Sequence, residues 1–288
     1  MARVLPVSAA VPVAQARQSA RPDAPDAGGF TRLGGWAVCV PPQEWANSGA
    51  WVLDGVMAAL QPARWHTWGI WPATNTVNRV PGIFSDQYFN RPAVRQYMTD
   101  HPACEWLGFN EPEVASQANM TPELAADVTR EFIELGWEVG SEFQWLSPSV
   151  TLDTSSDGLG WLTEYMLIMR RHAIMRPSSW GIHPYNCNTV AALRQSMAQW
   201  WAWHDVWGSD APTIITEVCA EDGSLQAHKD VMSECAAMLQ RKEVLGVMWF
   251  AAYASDSIPW LHYPLTTLHP ETQTVTLTDL GRHWKTLQ

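Results

Sequence analysis

Short apolar runs alternate along the chain with longer segments whose apolar residues recur every three to four positions. The short runs read as strands at 35–40, 64–69, 79–84, 105–110, 142–147, 180–184, 213–217 and 245–251. The longer segments predict helices at 45–60, 92–100, 121–136, 159–173, 189–207, 225–241 and 278–287. Strand-then-helix alternation is the pattern of a parallel sheet with helical crossovers. Local signals agree. Thr121-Pro122-Glu123 supplies an N-cap, a first-turn proline and an acidic first turn, and Pro148 stops the fifth strand. Eight strands and seven or eight helical segments predict an α/β (β/α)8 TIM barrel over residues 30–288, with a second crossover too short for a full helix. Residues 1–29 are rich in Ala, Pro and Arg. They read as a flexible leader, or as a weak signal peptide built from Arg3, the apolar stretch 4–13 and Ala14-Gln15-Ala16. The first alternative makes the chain cytoplasmic and the second makes it secreted; Pro6 and Pro12 break the apolar stretch and favour the leader.

In such a barrel the chemistry gathers where the strands end and the βα loops converge. Two carboxylates stand there: Glu111 in Asn110-Glu111-Pro112 after the fourth strand, and Glu217 in Thr216-Glu217-Val218 at the end of the seventh. Either alone is commonplace, the first as a loop carboxylate and the second as a strand-end Thr-Glu. Three strands apart on a ring of eight, they would face one another across the mouth. A pair of carboxyls about 5–5.5 Å apart is what a retaining glycosidase needs, one as nucleophile and one as acid/base. The nucleophile must be ionised and needs hydrogen-bond donors, which His183 and Tyr185 at the end of the sixth strand can offer. The acid must keep its proton near neutral pH, which a neighbouring negative charge and an apolar wall both favour.

Composition narrows the partners. The net charge of −11 lacks the basic footprint that nucleic-acid binding requires. No run of apolar residues is long enough to span a bilayer. The 18 tryptophans exceed what a core of this size calls for, so some are expected on a sugar-binding cleft, where an indole face packs on the C–H face of a pyranose. Of Trp68 and Trp71, which flank the end of the second strand, one is expected to stack on sugar; Trp145 is a further candidate. Trp200, Trp201, Trp203 and Trp207 have the spacing of helix-to-sheet packing, and 253–274 is placed to wall one end of the cleft. Glu113 reads as a solvated loop charge, and the polar segment 153–158 as turn chemistry rather than a calcium loop. The five cysteines form no CxxC and are expected as free thiols, with a Cys187–Cys219 bridge as the alternative. The nine histidines show no HExxH spacing, so neither a metal nor a cofactor is expected. The expected partner is a polysaccharide or oligosaccharide, and the expected state a monomer.

Trp106-Leu107-Gly108-Phe109-Asn110-Glu111-Pro112-Glu113 resembles the Asn-Glu-Pro signature of clan A glycoside hydrolases. Its continuation through Ser116-Gln117-Ala118-Asn119-Met120-Thr121-Pro122-Glu123, with Arg64-Trp65-His66-Thr67-Trp68-Gly69, Ile215-Thr216-Glu217 and Val247-Met248-Trp249-Phe250, is similar to glycoside hydrolase family 128, the glycosyl hydrolase catalytic core. The likeness runs over 35–253. It implies an enzyme acting on β-1,3-glucans, with Glu111 as acid/base and Glu217 as nucleophile; an open groove of aromatic subsites would make it endo-acting. It further implies that Asn110 bonds the sugar 2-hydroxyl and that Trp249 floors that subsite. Two places depart from the family: His183-Pro184-Tyr185 lacks its aromatic middle residue, and Val80-Pro81-Gly82-Ile83-Phe84 lacks its Met and Trp. A barrel acting on another polysaccharide, a transglycosylase, and a silent sugar-binding barrel are the alternatives.

Overall fold

The computed structural model describes residues 36–39, 50–70, 79–153, 156–208, 211–221, 223–241, 243–254 and 261–288. Seven parallel strands form the main sheet. They are β1 (Trp36–Cys39), β2 (Arg64–His66), β3 (Arg79–Val80), β6 (Val150–Thr151), β7 (Trp180–His183), β8 (Thr213–Val218) and β9 (Val244–Trp249), in the order β3-β2-β1-β9-β8-β7-β6. The strands β4 (Glu105–Trp106) and β5 (Gln144–Trp145) make a separate parallel pair. Single parallel bridges flank that pair, Gly82 to Leu107 on one side and Leu146 to Ser179 on the other, and a bridge from Asn110 to Ser149 extends the pair itself as far as β6.

Seven α-helices are described: α1 (Ala50–Leu60), α2 (Arg91–Asp100), α3 (Pro122–Glu138), α4 (Gly158–Arg171), α5 (Val190–Trp203), α6 (Leu225–Met238) and α7 (Asp279–Thr286). Their starts are chemical. Asn90, Thr121, Asp157, Thr189, Ser224 and Thr278 each accept a first-turn backbone N–H on the side-chain oxygen, which satisfies a donor that the helix itself leaves unpaired. The Asp157 cap, together with Asp153 accepting from Ser156 N at 3.0 Å, gives the polar segment ordinary turn chemistry. The sheet's strands are buried along nearly their whole length, as expected of parallel strands covered by helices. No described helix is long and apolar enough to cross a membrane.

Several expectations are revised. The fifth strand does not end for good at Pro148. The proline has no N–H to give, so the ladder breaks there; it resumes when Ser149 N donates to Phe109 O at 2.9 Å and the chain enters β6. Trp145, proposed for the cleft, is fully buried between Phe109 and Phe132, at centroid distances of 5.9 and 4.8 Å. It packs the sheet against α3 and does not face sugar. Part of the stretch expected to wall the cleft is an antiparallel hairpin, β10 (Thr266–His269) with β11 (Thr274–Leu277), lying against α1. The contact is close: a Cβ at Gly55 of α1 would stand 2.4 Å from a Val275 methyl. Cys187 and Cys219 are both free thiols. Residues 67–70 hold no helix, and the rest of the second crossover (71–78) lies outside the described residues, as do the leader, residues 45–49, Trp71 and Trp260. Trp200 and Trp203 stack at 5.0 Å, and Trp203 meets Trp180 edge to face at 5.2 Å, in the packing role their spacing suggests; Trp201 lies under the Arg241 guanidinium at 4.7 Å.

Candidate active site

Because the strands of the sheet run parallel, their C-terminal ends share one edge. Trp68 follows β2, Asn110 and Glu111 follow β4, His183 ends β7 with Tyr185 just beyond, and Glu217 lies near the end of β8. Close approach of backbones makes the convergence possible. A Cβ at Gly108 would stand 2.6 Å from the Ser147 carbonyl and from Pro148 N, so only glycine lets this segment lie against its neighbour. Glu111 itself adopts φ +43, in the left-handed region that side chains seldom occupy.

The result is a compact polar cluster in an otherwise apolar interior. Glu111, His183 and Glu217 are 6%, 1% and 3% exposed. One carboxylate oxygen from each glutamate and one His183 ring nitrogen lie within 4.8 Å of one another. His183 Nδ1 hydrogen-bonds Glu111 Oε1 at 2.8 Å, and its Nε2 stands 3.7 Å from Glu217 Oε1. Trp68 Nε1 donates to Glu217 Oε1 at 2.8 Å and to Asn110 Oδ1 at 3.0 Å. Tyr185 donates its hydroxyl to Glu217 Oε2. The adjoining cavity is lined by His66, Trp68, Asn110, Ser149, His183 and Glu217, among others.

The two carboxyls are not equivalent. Burial pushes both upward. Glu111 rises to about 7, through burial first and the negative Asp153 second. Glu217 is raised by burial first and by the nearby Glu111 as well; His183, Tyr185 and Trp68 oppose the rise without cancelling it. Burial lowers His183, so its ring is neutral and carries a single N–H. The two environments therefore differ: Glu217 has the fixed Trp68 and Tyr185 donors, and Glu111 has His183 and the nearby Asp153 charge.

Sequence reasoning brought Glu111, Glu217, Asn110, His183, Tyr185 and Trp68 to one place, and the structure holds them there. It gave no sign that Trp68 would present its N–H rather than its face. Nor did it single out Gln117, which accepts from Asn110 Nδ2 at 3.2 Å, or the buried pair formed by Cys39 Sγ and His66 Nε2 at 2.9 Å. Trp249 is fully buried at the end of β9, edge-on to His228 at 6.2 Å, and presents no open face. Glu113 is not a solvated charge: Thr151 donates to its Oε1 through both backbone N–H and hydroxyl, at 2.6 and 2.9 Å. Among the described residues, Glu111, His183 and Glu217 are also the group whose ligand atoms are spaced for one cation. The donor set argues for a different use, since the Trp68 and Tyr185 hydrogens already point at the Glu217 oxygens a cation would need.

The model of the glycosyl hydrolase catalytic core matches residues 58–275, which contain Glu111, His183 and Glu217 with Trp68, Asn110 and Tyr185. The chain belongs to that family. No curated protein matches it. Solved structures share its fold. An endo-β-1,3-glucanase of GH128 subgroup I from Amycolatopsis mediterranei, in complex with laminaritriose, is 22% identical, with TM-score 0.65 over 88% of this chain and 99% of that one. A GH128 subgroup III curdlan-specific exo-β-1,3-glucanase from Blastomyces gilchristii, in complex with glucose, is 19% identical, with TM-score 0.62 over 81% and 94%. A subgroup VI exo-β-1,3-glucanase from Aureobasidium namibiae is 16% identical, with TM-score 0.68 over 88% and 96%. This glycosyl hydrolase therefore has an α/β fold shared by endo- and exo-acting structures.

Proposed function

We propose that the chain is a retaining endo-β-1,3-glucanase on a closed (β/α)8 barrel, with Glu111 as acid/base and Glu217 as nucleophile. The observation that carries the reading is the carboxyl pair within 4.8 Å, one member ringed by donors and the other raised to about 7. One oxygen of each carboxyl lying so close favours double displacement, whose carboxyls stand about 5–5.5 Å apart, over inversion, which leaves about 6.5–9.5 Å for a water. Closure of the barrel is supported by the bridges at Gly82, Asn110 and Leu146, which continue the strand order through β4 and β5 back to the main sheet. The substrate class is supported by the relatives solved with laminaritriose and laminarihexaose, and the endo mode by their subgroup.

At rest the protonated Glu111 carboxyl hydrogen-bonds the bare Nδ1 of His183 and keeps its proton, and the neutral ring turns its Nε2–H toward the Glu217 anion. Glu217 attacks the anomeric carbon while Glu111 protonates the departing glycosidic oxygen. Glu111 is left as a carboxylate, and because the glycosyl ester puts no charge on Glu217 it stays ionised and can serve as base toward the incoming water. Asn110 accepts from Trp68 on Oδ1 and gives one amide hydrogen to Gln117, which leaves its second amide N–H to meet a sugar hydroxyl. Incubation with laminarin, lichenan, mannan and xylan tests the substrate, and proton NMR of the first-formed anomer tests the stereochemistry. Laminarin should yield a ladder of β-configured oligosaccharides. Release of glucose alone would make the enzyme exo-acting, and a first-formed α-anomer would exclude double displacement.

Trp68→Phe keeps the ring and removes the N–H. Losing a hydrogen bond to a charged group costs about 1.5–3 kcal/mol, so kcat/KM should fall by roughly 10- to 100-fold. The sign of the pH effect follows from the anion. With one donor fewer the Glu217 carboxylate is less favoured and its pKa rises, so the acidic limb of kcat/KM moves to higher pH. An unmoved limb would mean that Trp68 does not act on Glu217.

A further inference from the structure

We propose that Glu113 is a positioning residue for Glu111: its carboxylate clamps the segment after β4 onto Thr151 of β6 and so holds the Glu111 carboxyl against His183. The proposal rests on the acid/base reading of Glu111. Glu113 Oε1 takes two hydrogens from one residue, the Thr151 backbone N–H at 2.6 Å and its hydroxyl at 2.9 Å. Thr151 is the register partner of His183 across β6 and β7, and Leu152 N donates to His183 O at 2.9 Å. Glu111 and the imidazole it hydrogen-bonds are therefore tied to the same stretch of β6, one of them through Glu113.

The backbone at Glu111 needs such a tie. Its φ of +43 is unfavourable for any side chain, and an arrangement of that kind persists only where the surroundings over-determine it. Glu111 N donates to Ser149 O at 2.8 Å, and Val114 N donates back to Glu111 O at 3.0 Å. The second bond closes the turn and the first ties it one residue before β6; Glu113 adds a side-chain tie two residues further on, at Thr151. Space has been left for it as well. A Cβ at Gly158, the first residue of α4, would stand 2.3 Å from Thr151 O and 3.1 Å from Glu113 Oε1. The second carboxylate oxygen, Oε2, is buried with no partner. A charge serving only solubility would turn that oxygen to water, because leaving it buried and unpaired is costly.

The test compares Glu113→Ala with Glu113→Gln in the full chain, by kinetics on laminarin and by crystal structures of both variants. Misplacing a reacting group costs rate more than binding, so Glu113→Ala should lower kcat by on the order of 10- to 100-fold while KM moves by less than about threefold. Its structure should show Glu111 Oε1 out of hydrogen-bond reach of His183 Nδ1. Glu113→Gln keeps an oxygen that accepts both Thr151 hydrogens and should restore most of kcat and the His183 contact. Wild-type kcat in Glu113→Ala, or an intact Glu111–His183 contact in its structure, would overturn the clamp. So would a Glu113→Gln as slow as Glu113→Ala, since charge and not the tie would then be what counts. If the wild type cleaves no β-1,3-glucan, the substrate reading fails by itself, and the two crystal structures still decide the clamp.

Discussion

Glu217→Ala is expected to remove turnover of β-1,3-glucan almost completely, by on the order of 10⁴-fold or more. The reason is chemical as well as electrostatic. Without the carboxylate there is no group to form the glycosyl ester, and water has no base correctly placed on that face of the sugar. Loss of the side chain also leaves the Trp68 and Tyr185 donors without their acceptor, but opens a space beside the anomeric carbon where a small anion can sit. Azide should therefore restore turnover of an activated aryl β-laminaribioside and give the α-glycosyl azide, because azide attacks from the face Glu217 occupied. Circular dichroism of the variant should match the wild type. A Glu217→Ala protein working at the wild-type rate, or one that yields the β-azide, would put the nucleophile elsewhere.

Much of this arrangement can be read from residue order alone, and what cannot has a physical cause. The strand ends at Asn110-Glu111 and Thr216-Glu217 are legible because buried parallel strands are apolar runs, and a carboxylate closing such a run is out of place unless it is used. The helix starts are legible because capping is local, as at Thr121 and Thr278. Orientation is not local. Trp145 and Trp68 both sit at strand ends, yet one turns into the packing under α3 and the other turns its N–H to Glu217; that choice is made by Phe132 and by the glutamate, both distant in sequence. Glu113 was misread for the same reason. Two residues beyond Glu111 in a polar loop it looks solvated, and only the return of the chain at Thr151 buries it. The hairpin at residues 266–277 was hidden because its outward positions are polar and its partner surface, α1, lies two hundred residues earlier.

Glu111→Ala should act on a different step, and the leaving group reveals which. General acid–base catalysis is worth about 10²- to 10⁴-fold, and the whole of it should be lost on laminarin, whose departing alkoxide needs a proton. A dinitrophenyl glycoside needs none, so its first step should proceed near the wild-type rate and release a burst of phenol, after which the glycosyl enzyme should accumulate because no base activates water. Azide should relieve that second step and return the β-glycosyl azide, the configuration opposite to that from Glu217→Ala. The pH profile gives an independent reading. Glu111 must be protonated to act as acid, and its carboxyl is raised to about 7 by burial and by Asp153. Wild-type kcat/KM on laminarin should therefore hold below about pH 7 and fall above it, and that basic limb should vanish in Glu111→Ala. Asp153→Asn removes the charge that helps hold the proton, so it should move the same limb to lower pH while leaving the acidic limb in place. A basic limb that survives in Glu111→Ala would belong to another group, and the division of labour between the two glutamates would have to be reversed or abandoned.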